Sequence, residues 1–266
     1  MKKKINTIII GLGRVGIGYD ENTPNVTLTH YKAIQKHKNF KLISCIEVNK
    51  INRDKFIKKY KIPCYENLSN IKNKIYPELA IIATPTLTHY RIIKEILKNH
   101  KTITSILCEK PFGNNYQEAN KILKICKKKK VKLFVNYMRT ADPGAIKILK
   151  LINNNFINVC KGTVFYDGNI LNQASHLINL LQFWFGESGS IKLIESDKGN
   201  KKLVGKNFIL NFKNKCFFFI GLNFPKYSYA SIEIISTMGR IHYLERGEKI
   251  QWQKIQKDIL YKEDNI

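Results

Sequence analysis

The sequence lacks any apolar run long enough to cross a membrane. A membrane-spanning helix needs about 20 consecutive apolar residues, and the longest apolar runs of this chain are far shorter. The basic start MKKKINTIIIGLG passes through one short apolar segment into glycines, a pattern that does not fit a signal peptide. We therefore expect a cytoplasmic protein with no membrane partner.

The sequence also lacks closely paired cysteines. Its 6 cysteines are scattered and form no CxxC pair, which excludes zinc-knuckle spacing and argues against a disulfide framework. Several of them lie within apolar runs, where a free thiol behaves as a small hydrophobic group. Free thiols of this kind are typical of a reducing compartment.

Acidic residues are scarce. The chain has 20 Asp and Glu against 46 Lys and Arg, which gives a net charge of +26. A balance this basic raises the alternative of a nucleic-acid partner. The lysines, however, are spread over the whole length, and no RNA-binding signature or basic heptad region accompanies them. We predict a solvated basic surface and no specific nucleic-acid partner.

Residues 1–139 alternate short apolar runs with helical patterns, as expected of βαβ units in a parallel sheet. The predicted strands span 5–10, 40–47, 78–84, 103–109 and 131–137, and the predicted helices span 31–37, 49–60, 88–99 and 115–129. The strand runs are apolar throughout, which is typical of strands covered on both faces. This half of the chain predicts an α/β Rossmann domain with a parallel, doubly wound sheet.

The pattern changes beyond residue 139. Helical patterns span 145–154 and 171–186, and strand-like runs span 158–168, 191–196, 207–212, 216–224, 229–237 and 239–245. A succession of strands after one helix favours a mostly antiparallel sheet. We predict a smaller α+β domain over residues 140–266.

The segment GLGRVG places Gly11, Gly13 and Gly16 in GxGxxG spacing directly behind the first predicted strand. Glycines at these places let the backbone turn tightly and approach a pyrophosphate. Arg14 and Val15 lie inside the motif and are predicted cofactor contacts as well. The segment therefore predicts a dinucleotide site.

Glu47 ends the second predicted strand, where a carboxylate binds the ribose hydroxyls of a dinucleotide. It comes later than that fingerprint requires because a polar insertion, residues 19–30, intervenes. We expect Asp20 and Glu21 of the insertion to oppose a phosphate. Glu47 would repel a 2′-phosphate, so NAD or NADP is predicted, with NAD favoured. A solvated carboxylate at the end of the strand is the alternative.

Two further segments follow predicted strands at the edge where ligands of parallel sheets bind. ATPTLTH contributes Thr84, Pro85 and Thr86 to a loop on the cofactor side, with Thr88 as N-cap of the next helix. CEKPFG contributes Lys110, which the following proline biases away from helix. Composition alone would assign Lys110 to the solvated surface. Its place at the strand end predicts a fixed donor beside a substrate oxygen.

The segment NQASHLIN carries Asn172, His176 and Asn179 at helical spacing, so we expect all three on one helix face. A histidine on an apolar helix is often a satisfied core residue. Polar side chains on the same face favour a catalytic role for His176 as strongly as the apolar helix favours a core role. No carboxylate or second histidine joins it at ligand spacing, so no metal site is predicted.

Taken in this order, the motifs resemble those of the Gfo/Idh/MocA family of oxidoreductases. The resemblance covers nearly the whole chain and is carried by Gly11, Gly13, Gly16, Glu47, Ala83, Thr84, Pro85, His89, Glu109, Lys110 and Pro111. It implies hydride transfer between a nicotinamide cofactor and a carbinol carbon of a sugar, nucleotide sugar or cyclitol. It also implies that His89 and Glu109 belong to the cofactor site.

By the same resemblance, Lys110 bonds to the reacting hydroxyl and His176 serves as acid or base. Tyr137, Arg139 and Asn172 fall where substrate contacts are common, and the open sheet of the second domain often forms a homo-oligomer interface. Asn172 stands where the family commonly has an aspartate. An amide cannot stabilise an imidazolium as a carboxylate does. A non-catalytic dinucleotide-binding regulator or partner subunit is therefore the alternative.

Overall fold

A computed structural model describes residues 3–23, 25–71, 75–154, 157, 160–194, 205–222, 227–257 and 264–265. The chain divides into two compact units, Met1–Asn136 and Tyr137–Ile266. No helix in these described ranges is long and apolar enough to cross a membrane.

The first unit is built on a parallel sheet. Its strands are β1 (Ile5–Ile10), β2 (Phe40–Ile46), β3 (Cys64–Tyr65), β4 (Leu79–Ile82), β5 (Ser105–Cys108) and β6 (Lys132–Val135). Among the described residues, these six strands follow the order β3-β2-β1-β4-β5-β6, and every neighbouring pair is parallel. The Rossmann-type sheet predicted from the sequence is confirmed. The sequence does not predict β3, which has 2 residues.

The connecting helices are α1 (His30–Lys36), α2 (Lys50–Tyr60), α3 (His89–Asn99) and α4 (Tyr116–Lys128). Three of them begin with a side-chain cap. The side chains of Thr29, Asn49 and Asn115 each accept a hydrogen bond from a backbone amide in the first turn. Each cap satisfies an amide that has no partner within the helix.

Successive residues of β1 enter opposite cores. Ile8 and Ile10 pack in one buried cluster with Ile96 of α3, and Ile9 packs in a second cluster with Phe56 of α2. Helices thus cover both faces of the sheet. This is why the strand reads as an uninterrupted apolar run.

The second unit holds two helices and a second sheet in its described part. Its elements are α5 (Pro143–Asn154), β7 (Cys160–Asp167), α6 (Ser175–Phe185), β8 (Ile191–Leu193), β9 (Phe208–Phe212), β10 (Lys215–Leu222), β11 (Ala230–Ser236), β12 (Gly239–Leu244), β13 (Lys249–Lys254), β14 (Gln256–Lys257) and β15 (Asp264–Asn265). Within the described ranges, the sheet order is β13-β12-β11-β7-β10-β9-β8, with β14 and β15 paired separately. Only β7 and β10 pair in parallel among these strands, so the prediction of a mostly antiparallel sheet is confirmed.

One face of this sheet packs on the helices. Val164 and Tyr166 of β7 are buried with Leu177 and Trp184 of α6. The indole N–H of Trp184 donates to the carbonyl oxygen of Ala145 in α5 at 2.9 Å. In β7, Phe165 lies between the buried Val164 and Tyr166 and is partly exposed. This alternation is expected of a sheet with one covered face.

Element bounds differ from the sequence prediction in a few places. The sequence does not predict β13, because KIQWQK has only two apolar residues. Helix α6 begins at Ser175 rather than 171, because a π-helical turn over Ile170–Ala174 precedes it. The predicted strands at 158–168, 191–196 and 216–224 each include residues that lie outside the described part of the chain.

Candidate functional site

The glycine loop follows β1, and steric crowding requires two of its glycines. Gly11 has a φ of +94°, and a Cβ there would lie 2.8 Å from the carbonyl oxygen of Ala83. A Cβ at Gly16 would strike the carbonyl oxygen of Gly11. At Gly13, by contrast, an added Cβ would meet no atom within 4 Å. Gly13 therefore borders open space, where a pyrophosphate can approach the backbone.

The first two residues of α1 bond back to this loop. The backbone amides of His30 and Tyr31 donate to the carbonyl oxygens of Val15 and Gly16 at 3.1 and 3.0 Å. Arg14, next to Val15, is exposed. The glycine loop is thus linked by its own backbone to a helix that starts at residue 30.

Asp20 organises the insertion from within. It is buried, and its carboxylate accepts hydrogen bonds from the amide and the hydroxyl of Thr29 at 2.9 and 2.7 Å. Burial would raise the pKa of Asp20, but the bonds from Leu28 and Thr29 outweigh it and hold the pKa below its ordinary value. Glu21 instead pairs with Lys59 of α2 at 2.7 Å. Both carboxylates therefore have partners within the first unit.

Glu47 is buried at the end of β2, with both carboxylate oxygens engaged. One oxygen accepts from the amide of Leu12 in the glycine loop at 2.8 Å, and the other accepts from the amide of Asn49 at 2.8 Å. The guanidinium of Arg53 donates to the Glu47 carbonyl oxygen at 2.7 Å. Glu47 is therefore no solvated side chain. Each of its carboxylate oxygens keeps a lone pair that can accept a ribose hydroxyl.

A cavity of about 370 Å³ lies beside the glycine loop. Predicted cofactor residues on its wall are Gly11, Gly13, Glu47, Thr84 and Pro85. Asn52, Arg91 and Glu95 also line it, and no sequence motif marks them. Within the described part of the chain, the other predicted cofactor residues are not part of this wall, namely Arg14, Val15, Gly16, Thr86, His89, Glu109 and Lys110.

The loop after β4 is fixed by its own hydroxyls and by a histidine. Thr88 stands at the N-cap position of α3, but its hydroxyl bonds to Thr84 Oγ1 at 2.8 Å and to the Pro85 carbonyl at 2.7 Å. His89 is fully buried, and its Nε2 lies 2.8 Å from the carbonyl oxygen of Thr84, with Cys108 Sγ 3.4 Å from Nδ1. The predicted cofactor contact of His89 is therefore wrong. The imidazole has no exposed surface and supports the loop from behind.

Lys110 follows β5 and is partly buried. The Glu109 carboxylate before it accepts hydrogen bonds from His30 Nε2 at 2.8 Å, from Asn136 Nδ2 at 2.7 Å and from the backbone amide of Lys110. Burial would raise the pKa of Glu109, but the bonds from His30 and Asn136 outweigh it and hold the pKa below its ordinary value. Glu109 therefore acts as a carboxylate anchor under Lys110. The peptide bond between Lys110 and Pro111 is cis.

The second unit has a cavity of its own, of about 330 Å³. Its wall consists of Met138, Arg139, Asp142, Gln173, His176, Tyr243, Arg246 and Glu248. The ring of Tyr137 contacts the His176 ring edge-on, with 5.4 Å between centroids. The structure thus places Arg139 and His176 in one cavity wall, with Tyr137 against the His176 ring.

Arg139 is held in place by a strained loop. Its guanidinium donates to the hydroxyl of Tyr243 at 3.0 Å and to the carbonyl oxygen of Arg246. Glu245, Arg246 and Gly247 all have positive φ values, of 50°, 61° and 103°. Burial raises the pKa of Tyr243, so its phenol stays neutral and can accept this bond. Such strained backbone is found most often at functional sites.

A π-helical turn lies directly before α6, the helix that carries His176. Asn172 lies within this turn and is exposed, and in the described chain it is not part of the cavity wall. Gln173 is in the wall instead. The helix predicted through both residues is thus divided, with Asn172 in the π-helical turn and His176 in α6.

No group of three or more His, Cys, Asp or Glu side chains suited to a metal ion occurs among the described residues.

Comparison with known proteins identifies the family. Residues 5–137 match the Gfo/Idh/MocA family, described as an oxidoreductase family with an NAD-binding Rossmann fold. The chain belongs to this family. Curated relatives include the uncharacterized oxidoreductase YrbE of Bacillus subtilis, 30% identical over 159 residues, and glucose-6-phosphate 3-dehydrogenase of the same organism, 25% identical over 160 residues. Both alignments cover 59% of this chain and 42% of the relative, so the chain matches less than half the length of these relatives.

Solved structures of dehydrogenases share the fold over at least 90% of this chain. The WlbA dehydrogenase of Bordetella pertussis, in complex with NADH and UDP-GlcNAcA, has a TM-score of 0.79 at 16% identity, covering 96% of this chain and 83% of that one. The scyllo-inositol dehydrogenase of Lactobacillus casei, with NAD(H) and scyllo-inositol, has a TM-score of 0.73 at 17% identity, covering 90% and 76%.

The first cavity fits the NAD that this family binds. Gly13 leaves the space that a Cβ would fill, and Glu47 lies buried at the strand end beside it. Oxygens of a pyrophosphate bind well to backbone amides at such a loop. Glu47, Gly13 and Thr84 would hold the cofactor here.

Proposed function

We propose that this chain is an NAD(P)-dependent dehydrogenase that acts on a hydroxyl or ketone of a sugar, nucleotide sugar or cyclitol. The observation that carries the proposal is the anchoring of Lys110. The Glu109 carboxylate binds the Lys110 amide, and the Glu109 amide donates to Ile82 at the end of β4 at 2.9 Å. A solvated lysine needs no such anchoring, whereas a group that meets a reacting oxygen must be held in place.

Relatives support the substrate class. One curated relative is named a glucose-6-phosphate 3-dehydrogenase, and two solved relatives contain UDP-GlcNAcA and scyllo-inositol. All three compounds carry several hydroxyls on a ring. We therefore propose a polyhydroxylated ring as the substrate of this chain.

Each of the proposed site residues has its own role in the reaction. When bound, the nicotinamide supplies the carbon that accepts or donates the hydride. Glu47 accepts the ribose hydroxyls, the ammonium of Lys110 donates to the reacting oxygen, and the imidazole of His176 takes up or returns the hydroxyl proton. Tyr137 and Arg139 bind and orient the substrate.

Glu47 supports a preference for NAD over NADP. Its carboxylate is buried and fixed by two backbone amides. A 2′-phosphate would bring further negative charge next to it. Arg53 is engaged with backbone carbonyls of Glu47 and Val48, which makes it a poor partner for that phosphate.

We also propose a homo-oligomer that forms through the outer face of the second sheet. Phe217 and Phe219 of β10 are buried in the core, whereas Phe218 between them is 41% exposed. Ile235 of β11 is likewise 54% exposed, on the face opposite the buried Ile234. Exposed apolar groups on one sheet face are typical of protein interfaces.

A cytoplasmic location without a specific nucleic-acid partner completes the proposal. All 6 cysteines are free thiols, which suits a reducing compartment. Lysines distributed over the whole chain neutralise phosphates without reading bases.

A substrate screen tests the proposed function. The full chain is incubated with NAD⁺ or NADP⁺ and a panel of inositols, hexoses, hexose phosphates and UDP-sugars, and nicotinamide reduction is followed by absorbance. We expect turnover with one class, and an equal rate for Lys101→Ala, a matched change at an exposed lysine. Cofactor binding without turnover in either direction would instead favour the non-catalytic regulator that Asn172 suggests.

A further inference from the structure

His30 contacts the anchor of Lys110, although no sequence motif marks it. It is the first residue of α1 and is 9% exposed. Its Nε2 lies 2.8 Å from Oε1 of Glu109, which is 79 positions later in the sequence. A nearly buried imidazole thus lies against the carboxylate that precedes the proposed catalytic lysine.

Glu109 links this imidazole to the backbone of Lys110. Its carboxylate also accepts from Asn136 Nδ2 at 2.7 Å and from the amide of Lys110. The side chains of His30 and Asn136 therefore hold the carboxylate, and the carboxylate holds the backbone amide of Lys110. Because the pKa of Glu109 is lowered, its side chain is ionised at neutral pH and the Nε2–H of His30 donates to it. Hydrogen bonds to an ionised acceptor are stronger than neutral ones.

The insertion sets the position of His30. Thr29, directly before it, is bonded through its amide and its hydroxyl to the buried Asp20. The His30 amide donates to Val15 in the glycine loop at 3.1 Å. The imidazole is therefore held on one side by the insertion and on the other by Glu109.

We propose that His30 is a positioning residue of the dehydrogenase. Through Glu109 it fixes the backbone of Lys110, and thereby places the lysine ammonium for the reacting oxygen. The inference rests on the proposed role of Lys110. A displacement of about 1 Å in a reacting group lowers turnover by about a hundredfold. A change at His30 therefore acts on kcat more than on cofactor binding.

Three substitutions separate positioning from packing. His30→Leu keeps the bulk and removes the donor, and we expect kcat to fall about tenfold to a hundredfold while the NADH dissociation constant changes less than about threefold. His30→Gln keeps a donor near the place of Nε2 and should restore kcat to within about threefold of wild type. His37→Leu, at the exposed end of the same helix, is the matched control and should behave as wild type.

A second measurement does not depend on activity. Hydrogen exchange at the Lys110 amide, followed by NMR, should accelerate in His30→Leu and stay slow in His30→Gln and His37→Leu, because Glu109 protects this amide. Should His30→Leu fail to fold, His30→Asn replaces it, since its amide is too short to reach Glu109.

The exchange data separate this inference from the proposed function. Faster exchange in His30→Leu with no substrate turned over by wild type would support the anchor and reject the dehydrogenase. Unchanged exchange and kcat in His30→Leu would overturn the positioning role. Equal losses in His30→Leu and His30→Gln would also overturn it, since packing alone would then explain them.

Discussion

At the scale of single residues, Glu47 bonds to the glycine loop through one carboxylate oxygen and to the start of α2 through the other. A 2′-phosphate next to this carboxylate would place like charges together, which costs several kcal/mol. We therefore predict that the chain binds NADH at least about tenfold more tightly than NADPH, and that Glu47→Ser narrows this ratio. Fluorescence titration of both cofactors measures it.

Glu78 offers a matched control for this prediction. It lies in the same unit, and its carboxylate also accepts a backbone amide, that of Asn6 at 3.1 Å. Glu78→Ser should lower stability without changing the ratio of the two affinities. Tighter binding of NADPH by the wild-type chain would contradict the role given to Glu47.

Glu109 gives a pH-dependent signature at the same scale. Its pKa in the folded chain is below the ordinary value of 4.5. The stabilisation it provides is therefore present above pH 4.5 and is lost as the pH falls through the folded pKa. We predict that Glu109→Gln lowers the free energy of unfolding at pH 7, and that its difference from wild type shrinks below pH 4.5. Urea unfolding at several pH values checks this. A difference that is constant with pH would contradict it.

At the scale of elements, a π-helical turn, Ile170–Ala174, precedes α6 and His176. Gln173 lies in the wall of the second cavity, whereas Asn172 is exposed. We predict that Gln173→Ala raises KM for the substrate about tenfold, the effect of one lost hydrogen bond. Asn172→Ala should raise KM less than about twofold. Steady-state kinetics on the identified substrate tests this prediction. A larger rise in KM for Asn172→Ala than for Gln173→Ala would assign Asn172 to the substrate site.

The π-helical turn is one of the elements that could not be predicted from the sequence. Helical spacing predicts one α-helix through Asn172 and His176, and no sequence pattern predicts that its first turn is π-helical. Strand β13 escapes prediction because polar residues surround Ile250 and Trp252, as at a sheet edge. Strand β1 is predicted with its observed bounds, because Ile8, Ile9 and Ile10 are all buried. A strand that is buried on both faces is marked by an apolar run in the sequence. A π-helical turn or a polar edge strand has no such mark.

At the scale of the whole molecule, the outer face of the second sheet carries the proposed subunit interface. We predict that the wild-type chain sediments as an oligomer and that Phe218→Asp shifts it toward monomer, because a buried unpaired charge is costly at an interface. Leu123→Asp, at a 48% exposed leucine of α4, is the matched control and should leave the oligomer intact. A monomeric wild-type chain at micromolar concentration would contradict the interface.

Contacts between distant parts of the sequence explain what the motifs missed at this scale. Gly11, Gly13 and Lys110 follow predicted strands and Glu47 ends one, so their shared edge of the sheet is predictable. His30 is 79 positions from Glu109 and belongs to an insertion that no motif describes. His89 matches the family motif, yet the structure buries it behind Thr84. Motif position thus predicts the neighbourhood of a side chain better than it predicts its contacts.

The activity of Lys110→Ala tests the central claim most directly. On the identified substrate, we predict that kcat falls by at least about a hundredfold, the usual range for lost acid–base assistance. The NADH dissociation constant should stay within about threefold of wild type, and Lys110→Arg should not restore turnover, because a planar guanidinium cannot replace a compact ammonium. Full activity of Lys110→Ala, matching that of Lys101→Ala, would contradict the account and return Lys110 to the solvated surface.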